Sequence, residues 1–262
     1  MGERHPTMVA CLRRTGKRWP AGYRCPVSVS PRSAPDHQPP AGVRRTQAAR
    51  RRRTTGYHST MIEKPHAPSA ERNREPILAE LRALFADRQR VLEIGSGTGQ
   101  HAVFFAAALP HLVWQCSDRT ENLPGIRLWL AEAGLANTPA PLALDVLHDP
   151  WPSHRYDAVF SANTLHIMPW HAVEAVFAGL PDVLEPGAKV AIYGPFHRNG
   201  MATSEGNAAF DAKLRAEHPH MGLRDAEAVD ALAQAAGLSL IADIAMPANN
   251  ALRVWRFHRS QL

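Results

Sequence analysis

Val91-Leu-Glu-Ile-Gly-Ser-Gly-Thr-Gly-Gln-His101 is an apolar run that meets an acid, Glu93, and then three glycines spaced two apart. A strand-to-helix turn built on Gly95, Gly97 and Gly99 lets backbone approach a ligand closely. The helix that follows presents unpaired N–H groups and the positive end of its dipole. Such a turn suits a nucleotide-like ligand.

The spacing narrows the choice. A dinucleotide fingerprint reads Gly-x-Gly-x-x-Gly, whereas this turn reads Gly-x-Gly-x-Gly with Ser96 inside it and Glu93 two residues before the first glycine. A carboxylate at that place repels a pyrophosphate. It suits instead the cationic methionine end of S-adenosylmethionine.

From about residue 74 helix-like and strand-like segments alternate, which predicts a parallel sheet with crossover helices. Helices are expected over Pro76–Phe85, Gln100–Leu109, Leu123–Ala133, Trp170–Leu184, about Gly206–Glu217 and Asp225–Ala236. Strands are expected over Arg90–Ile94, Leu112–Cys116, Ala140–Leu144, Tyr156–Ser161, Ala188–Tyr193, Leu238–Ala245 and Ala251–His258.

Successive strands end in polar residues where an open α/β sheet places its ligand crevice. Strand two ends in Ser117-Asp118, about 20 residues beyond the turn, where an acid accepts from both ribose hydroxyls. Strand three ends in Leu144-Asp145-Val146, an oxygen for an adenine amino group beside an apolar wall. Strand four ends in Ser161-Ala-Asn163, lining the crevice. Each has a plainer alternative: Asp118 and Asn163 as caps, Asp145 as a turn acid.

Charge divides the chain. Residues 1 to 60 hold thirteen of the thirty Lys and Arg against two acids, a formal +11, which leaves seventeen against twenty-two, −5, for residues 61 to 262. The first segment also carries seven prolines and no apolar periodicity, so it is expected to be a disordered basic tail. Three readings fit it: a nonspecific nucleic-acid arm around Arg50–Arg53, an organelle transit peptide, or translation assigned from too far upstream, with the true start near Met61. Residues 61 to 262 are expected to form one domain, and 45% hydrophobic residues can build its core.

Several function classes drop out. No stretch approaches the roughly 20 apolar residues of a membrane span. The acidic domain has no basic stripe or aromatic cluster for nucleic acid. Cys11, Cys25 and Cys116 give no disulfide framework, and the scattered His have no metal-ligand spacing. The chain therefore reads as cytoplasmic and metal-free, with Cys116 a buried strand residue.

The same residues carry a family resemblance. The glycine turn resembles motif I of the class I S-adenosylmethionine-dependent methyltransferases. The stretch from about Pro65 to Arg259 is similar to domain-of-unknown-function family 938, the methyltransferase-like protein 26 group. The matching stretches are Ala70-Glu-Arg-Asn-Arg-Glu-Pro-Ile-Leu78, Leu92 to Ala102, Trp114 to Asp118, Leu165-His-Ile-Met-Pro-Trp170, Tyr193 to Phe196, Asn207 to Asp211 and Met246-Pro-Ala-Asn-Asn250. Cys116 stands where that group has a proline. The resemblance implies a Rossmann-like, doubly wound, seven-stranded α/β sheet, mostly parallel with the last strand antiparallel, and S-adenosylmethionine as cofactor.

The acceptor is a small molecule or a protein. Methyl transfer from a sulfonium to an acceptor that is already nucleophilic needs positioning more than acid or base, so no catalytic residue is assigned. Asn163-Thr-Leu-His166 stands where base amino-methylation has an Asn-Pro-Pro-Tyr tetrapeptide. Pocket candidates are Arg72, Asn73, His166, Tyr193, Asn249 and Asn250. His166 is either a general base or a packing residue. Asn249-Asn250 is either a pocket wall or a hairpin turn, and Arg72 either reaches the pocket or pairs with Glu75. Two other functions stay open: a cofactor-binding protein without turnover, and an NAD-dependent oxidoreductase.

Overall fold

The computed structural model describes residues 63–258; the expectations for residues 1 to 60 lie outside it. Its first helix, α1 (Pro68–Leu84), starts at a proline whose missing N–H costs nothing in the first turn. The Pro76 expected to open this helix sits inside it instead, and eight residues of helix precede it. That proline has no N–H for the carbonyl of Arg72.

Then follow β1 (Arg90–Ile94), α2 (Gln100–Ala108), β2 (Val113–Asp118), α3 (Leu123–Ala133), β3 (Leu142–Ala143), β4 (Tyr156–Ala162), α4 (Trp170–Val183) and β5 (Leu184–Gly194). The chain continues through β6 (Phe196–Arg198), β7 (Met201–Ala202), α5 (Glu205–Glu217), β8 (Arg224–Asp225), α6 (Ala226–Ala235), β9 (Leu238–Met246) and β10 (Asn250–Phe257).

Seven strands form one sheet in the order β3-β2-β1-β4-β5-β10-β9. β10 runs antiparallel to both its neighbours, while β2, β1, β4 and β5 pair in parallel. The fold is therefore the Rossmann-like, doubly wound arrangement that the alternating pattern and the resemblance imply. The short β6, β7 and β8 form a second sheet that the sequence does not announce, because two- and three-residue strands carry no readable period. β3 is two residues long where five are expected, and β5 opens four residues before Ala188.

β1 is the central strand, and its period of two divides the core. Val91 joins Phe105, Trp114 and Phe160 in a cluster with α1, α2 and α3. Leu92 and Ile94 face the other layer, with Val159, Phe177 and Val190 against α4 and α6. Phe105, Trp114 and Phe160 meet with ring centroids 5.4 to 5.7 Å apart, an arrangement that adds to plain burial. Cys116 is fully buried in this cluster, and burial pushes its thiol up, away from the reactive thiolate.

A short strap precedes α1 and lies over α2 and α3. The Trp129 indole donates to the Pro65 carbonyl at 2.7 Å, and the Ala67 N–H donates to Gln100 Oε1 at 2.6 Å. Pro65 fills the notch left by Gly125, where a Cβ would come within 2.6 Å of its ring. Lys64 sits over the Trp129 ring at 3.7 Å and pairs with Glu132. Among the described residues no helix is long and apolar enough to cross a membrane.

Candidate functional site

The turn from β1 into α2 is left-handed at all three glycines, with φ of +72° at Gly95, +58° at Gly97 and +89° at Gly99. Two of them make room for protein. A Cβ on Gly95 would lie 2.6 Å from Thr164 Cγ2, and one on Gly99 would lie 3.2 Å from Ile126 Cα. Gly97 differs: it is exposed, and a Cβ there would meet nothing within 4 Å. The open side of the turn is thus at Gly97, beside the N-terminus of α2.

Glu93 stands behind the turn. Its carboxylate is 1% exposed, and Oε2 accepts from the Ser96 hydroxyl and the Trp114 indole, both at 3.0 Å. Ser96 Oγ in turn accepts from the Ser117 N–H at 3.2 Å, and the Ser117 carbonyl accepts from the N–H groups of Gly95 and Ser96. Glu93 therefore braces the turn through Ser96, a buried role that β1's period dictates and that the sequence reading of an open carboxylate did not contain.

Burial raises the Glu93 carboxyl from 4.5 to about 7. A raised carboxyl pKa favours the fold while the group is neutral, and that contribution is lost as pH climbs from about 4.5 through about 7. Glutamine keeps an acceptor for Trp114 and Ser96 without a charge to bury. Glu93→Gln is therefore expected to melt progressively higher than the parent as pH rises from 5 to 8, the gap growing by on the order of 2 kcal/mol. A gap that stays flat in thermal melts across that range would contradict the burial.

Asp118 closes the front of the turn. Oδ2 accepts from the Gly97 N–H at 2.7 Å, and Oδ1 accepts from the Arg119 N–H at 2.7 Å and the Asn122 amide at 2.8 Å. A carboxylate offers about four acceptor sites, so the three bonds leave one unused. The cap and ligand readings of Asp118 are thus compatible.

Asp145 is placed as a turn acid. Oδ1 accepts from the Leu147 N–H at 3.0 Å, and Oδ2 lies 3.0 Å from His148 Nδ1. The hydrogen bond from His148 holds its carboxyl below the usual range. Val146 is half-buried against the second core cluster and leaves Leu147 exposed beside it.

Beyond β4 the chain turns sharply. Asn163 takes a left-handed φ of +56° and donates its N–H to the Tyr193 carbonyl at 2.9 Å. Arg72, Asn73, Asn163, Tyr193 and Asn250 converge on one cleft of about 200 Å³. Five pocket and crevice candidates from four separate stretches of sequence are thereby brought together. Arg72 makes no ion pair with Glu75; Pro76 and Ser69 line the cleft beside it.

His166 and Asn249 do not line that cleft. His166 is 6% exposed behind Gly194, its ring edge-on to Phe210 at 5.4 Å, and burial pushes its pKa down to about 4. It is a neutral, packed imidazole. Asn249 has φ +54° in the turn between β9 and β10, and its carbonyl accepts from Asn207 at 3.0 Å. It faces a neighbouring cavity of about 340 Å³ with Phe196, Arg198 and Asp243.

Two site residues escape a sequence reading. His101 Nε2 lies 2.7 Å from Asn73 Oδ1, tying α1 to the first turn of α2, and burial pushes its pKa down to about 4. Gln100 is 4% exposed, and its Nε2 is buried without a partner. Both follow the glycine turn directly, but nothing in their spacing says that α1 will cover them.

A family model described as "Protein of unknown function (DUF938)" matches residues 64–257, about three quarters of the chain. Among solved structures, the chain is similar to the S-adenosylmethionine-dependent methyltransferase SibL in its apo form, at 25% identity and TM-score 0.63, over 73% of this chain and 56% of that one. An O-methyltransferase family protein from Burkholderia thailandensis superposes with TM-score 0.64 at 16% identity, over 71% and 57% of the two chains. PigF with SAH gives TM-score 0.60 at 17% identity, over 69% and 54%. The chain spans a little over half the length of these proteins, and the two below 25% identity speak for the fold alone. With the glycine turn, the strand order and a family match over nearly all the described residues, the chain belongs to the DUF938 family and has the fold of the class I S-adenosylmethionine-dependent methyltransferases.

Proposed function

We propose that the protein is an S-adenosylmethionine-dependent methyltransferase acting on a small-molecule acceptor. The observation that carries this reading is the Asp118 carboxylate bonded to the Gly97 N–H across a left-handed turn whose outer face is empty. The cradle has room for a ligand where any side chain would intrude. Asp118 would take the ribose hydroxyls, and Val146 would wall the adenine. Gly97 would present open backbone to the methionine end, with Gly95, Ser96 and Gly99 holding the shape of the turn and Asn163 at its edge. Asp145 would accept from the adenine amino group with a lone pair left over from its turn.

Glu93 acts at one remove. A carboxylate half-ionised near neutral pH, directly behind the turn, disfavours a doubly charged pyrophosphate and favours a cation, without touching either. The bound cofactor supplies an electrophilic methyl group on a sulfonium. The chain's own work is positioning: α1 and the β9–β10 turn line a cleft with Asn163 and Tyr193, so an acceptor held there would be aligned and shielded from water. With His166 buried and neutral, a nucleophilic acceptor needs no base from it. A cytoplasmic setting rests on the chain's sparse cysteines.

The test is incubation of the full chain with methyl-labelled S-adenosylmethionine and a small-molecule cell extract. The expected result is a labelled product of low mass. Binding of the cofactor without any labelled product would leave a cofactor-binding protein and end the enzymatic reading.

Residues 1 to 60 are proposed to contribute nothing to this site. A chain starting at Met61 is expected to match the full chain in melting temperature and cofactor affinity. A chain starting at Ser69 lacks the strap, with its hydrogen bonds to Trp129 and Gln100. It should lose about 1 to 3 kcal/mol of stability. Equal melting temperatures for the Met61 and Ser69 starts would show that the strap does not hold α1 in place.

A further inference from the structure

We propose that the methyl acceptor is a small organic acid whose carboxylate is held by Arg72 and whose apolar body lies against Pro76, Pro247 and the Tyr193 ring, while a separate nucleophilic atom takes the methyl as the S–CH3 bond breaks, S-adenosylhomocysteine leaves and any proton on that atom passes to water. This rests on the methyltransferase reading above and names the substrate class of the same site.

Strand order separates the two ligands. Asp118 and Asp145 follow β2 and β3, on one side of β1, whereas Asn163 and Tyr193 belong to the ends of β4 and β5, on the other. The ribose and adenine half of the crevice is thus distinct from the cleft under α1. Gly95 packs against Thr164, just beyond β4, so the glycine turn borders the β4 side of the crevice.

The chemistry of the walls sets the charge. No carboxylate lines the cleft, and Arg72 makes no ion pair among the described residues. Its neighbour Glu71 is bonded to His66 at 3.0 Å, and that bond holds the Glu71 carboxyl low. The contrast with the next cavity is direct. Arg198 there is already paired with Asp243 at 2.7 Å, and Arg253 is held between Asp243 and Asp230. Arg72 is exposed at the cleft wall, and an unpaired cation there, with no carboxylate beside it in the lining, draws an anion toward the cleft.

Arginine also matches a carboxylate with two parallel N–H bonds. The other polar groups in the lining, Ser69, Asn73, Asn163, Asn250 and the Tyr193 hydroxyl, are neutral hydrogen-bonding groups that orient a ligand without opposing its charge. A cleft of about 200 Å³ has room for a small-molecule body.

The experiment separates failure of this proposal from failure of methyl transfer itself. A small-molecule extract is divided on anion-exchange resin at pH 7, and each fraction is incubated with the full chain and methyl-labelled S-adenosylmethionine. The same is done with Arg72→Gln and Arg72→Lys, and S-adenosylhomocysteine affinity is measured for all three proteins. The expected result is labelling from the retained fraction, at least tenfold weaker with Arg72→Gln, partly restored with Arg72→Lys, and unchanged S-adenosylhomocysteine affinity and melting temperature. 4-Hydroxybenzoate should also compete with labelling at least tenfold better than 4-hydroxybenzamide, and better than phenyl phosphate.

Labelling from the unretained fraction, undiminished labelling with Arg72→Gln, or equal competition by acid and amide overturns the acceptor class while leaving methyl transfer standing. Loss of S-adenosylhomocysteine affinity in Arg72→Gln overturns it too, and moves Arg72 to the cofactor's own carboxylate. Absence of label from every fraction defeats the enzymatic reading and the acceptor class with it.

Discussion

Replacing Asp118 with alanine is expected to weaken S-adenosylmethionine binding by about 1.5 to 3 kcal/mol, roughly tenfold to a hundredfold, in a protein that still folds. The loss has two parts. One is the charge-assisted hydrogen bond to ribose. The other is the grip of Oδ2 on the Gly97 N–H and of Oδ1 on Arg119 and Asn122, which sets the turn and the start of α3 before any ligand arrives. Asp118→Asn is a graded comparison: its single amide oxygen can keep the Gly97 bond or the Arg119 and Asn122 bonds but not both sets, and it carries no charge, so its affinity should fall between the parent and Asp118→Ala. Calorimetry on both variants is the check. Affinity unchanged in a folded Asp118→Ala would remove Asp118 from the cofactor site.

Gly97→Val is expected to lower cofactor affinity by at least about a hundredfold while leaving most of the fold's stability. A left-handed φ of +58° strains a side chain by roughly 1 to 2 kcal/mol, more for a β-branched one. No protein atom lies within 4 Å of the new Cβ, so the side chain occupies only the space assigned to ligand. Gly134 is a matched control. It has the same φ of +58°, equally empty surroundings, and a place at the far end of α3. Gly134→Val should show a similar drop in melting temperature and unaltered binding. If both variants bind alike, the turn is not the cradle.

The long elements were legible because their periods are long enough to read. The central strand Arg90–Ile94 and helix Leu123–Ala133 are where the residues put them, and the helices expected from Gln100 and Trp170 begin there. Pro76 misled, since a proline reads as a helix start and α1 instead carries it inside, with Pro68 at the true beginning. The second sheet was invisible because it depends on tertiary pairing of strands too short to have a pattern.

The site divides in the same way. Residues whose placement follows from local geometry, the glycine turn and the ends of β2 and β4, could be located from spacing. The role of Glu93 could not, because facing Trp114 instead of solvent depends on which layer β1's alternate residues enter. His166 was ambiguous for a related reason: its pKa is pushed down by burial and by the Arg224 charge, which no motif states. The convergence of Arg72 and Asn73 with Tyr193 and Asn250 joins residues more than 100 positions apart, and only the fold brings them together.

The central claim is the identity of the ligand on the glycine turn, and calorimetric titration of the full chain with S-adenosylmethionine, S-adenosylhomocysteine and NAD tests it most directly. One-to-one binding of the first two, lost in Gly97→Val and weakened in Asp118→Ala, with no heat from NAD at the same concentrations, is the predicted result. Tighter binding of NAD than of S-adenosylhomocysteine, or no binding of either sulfur ligand by the folded protein, would contradict it.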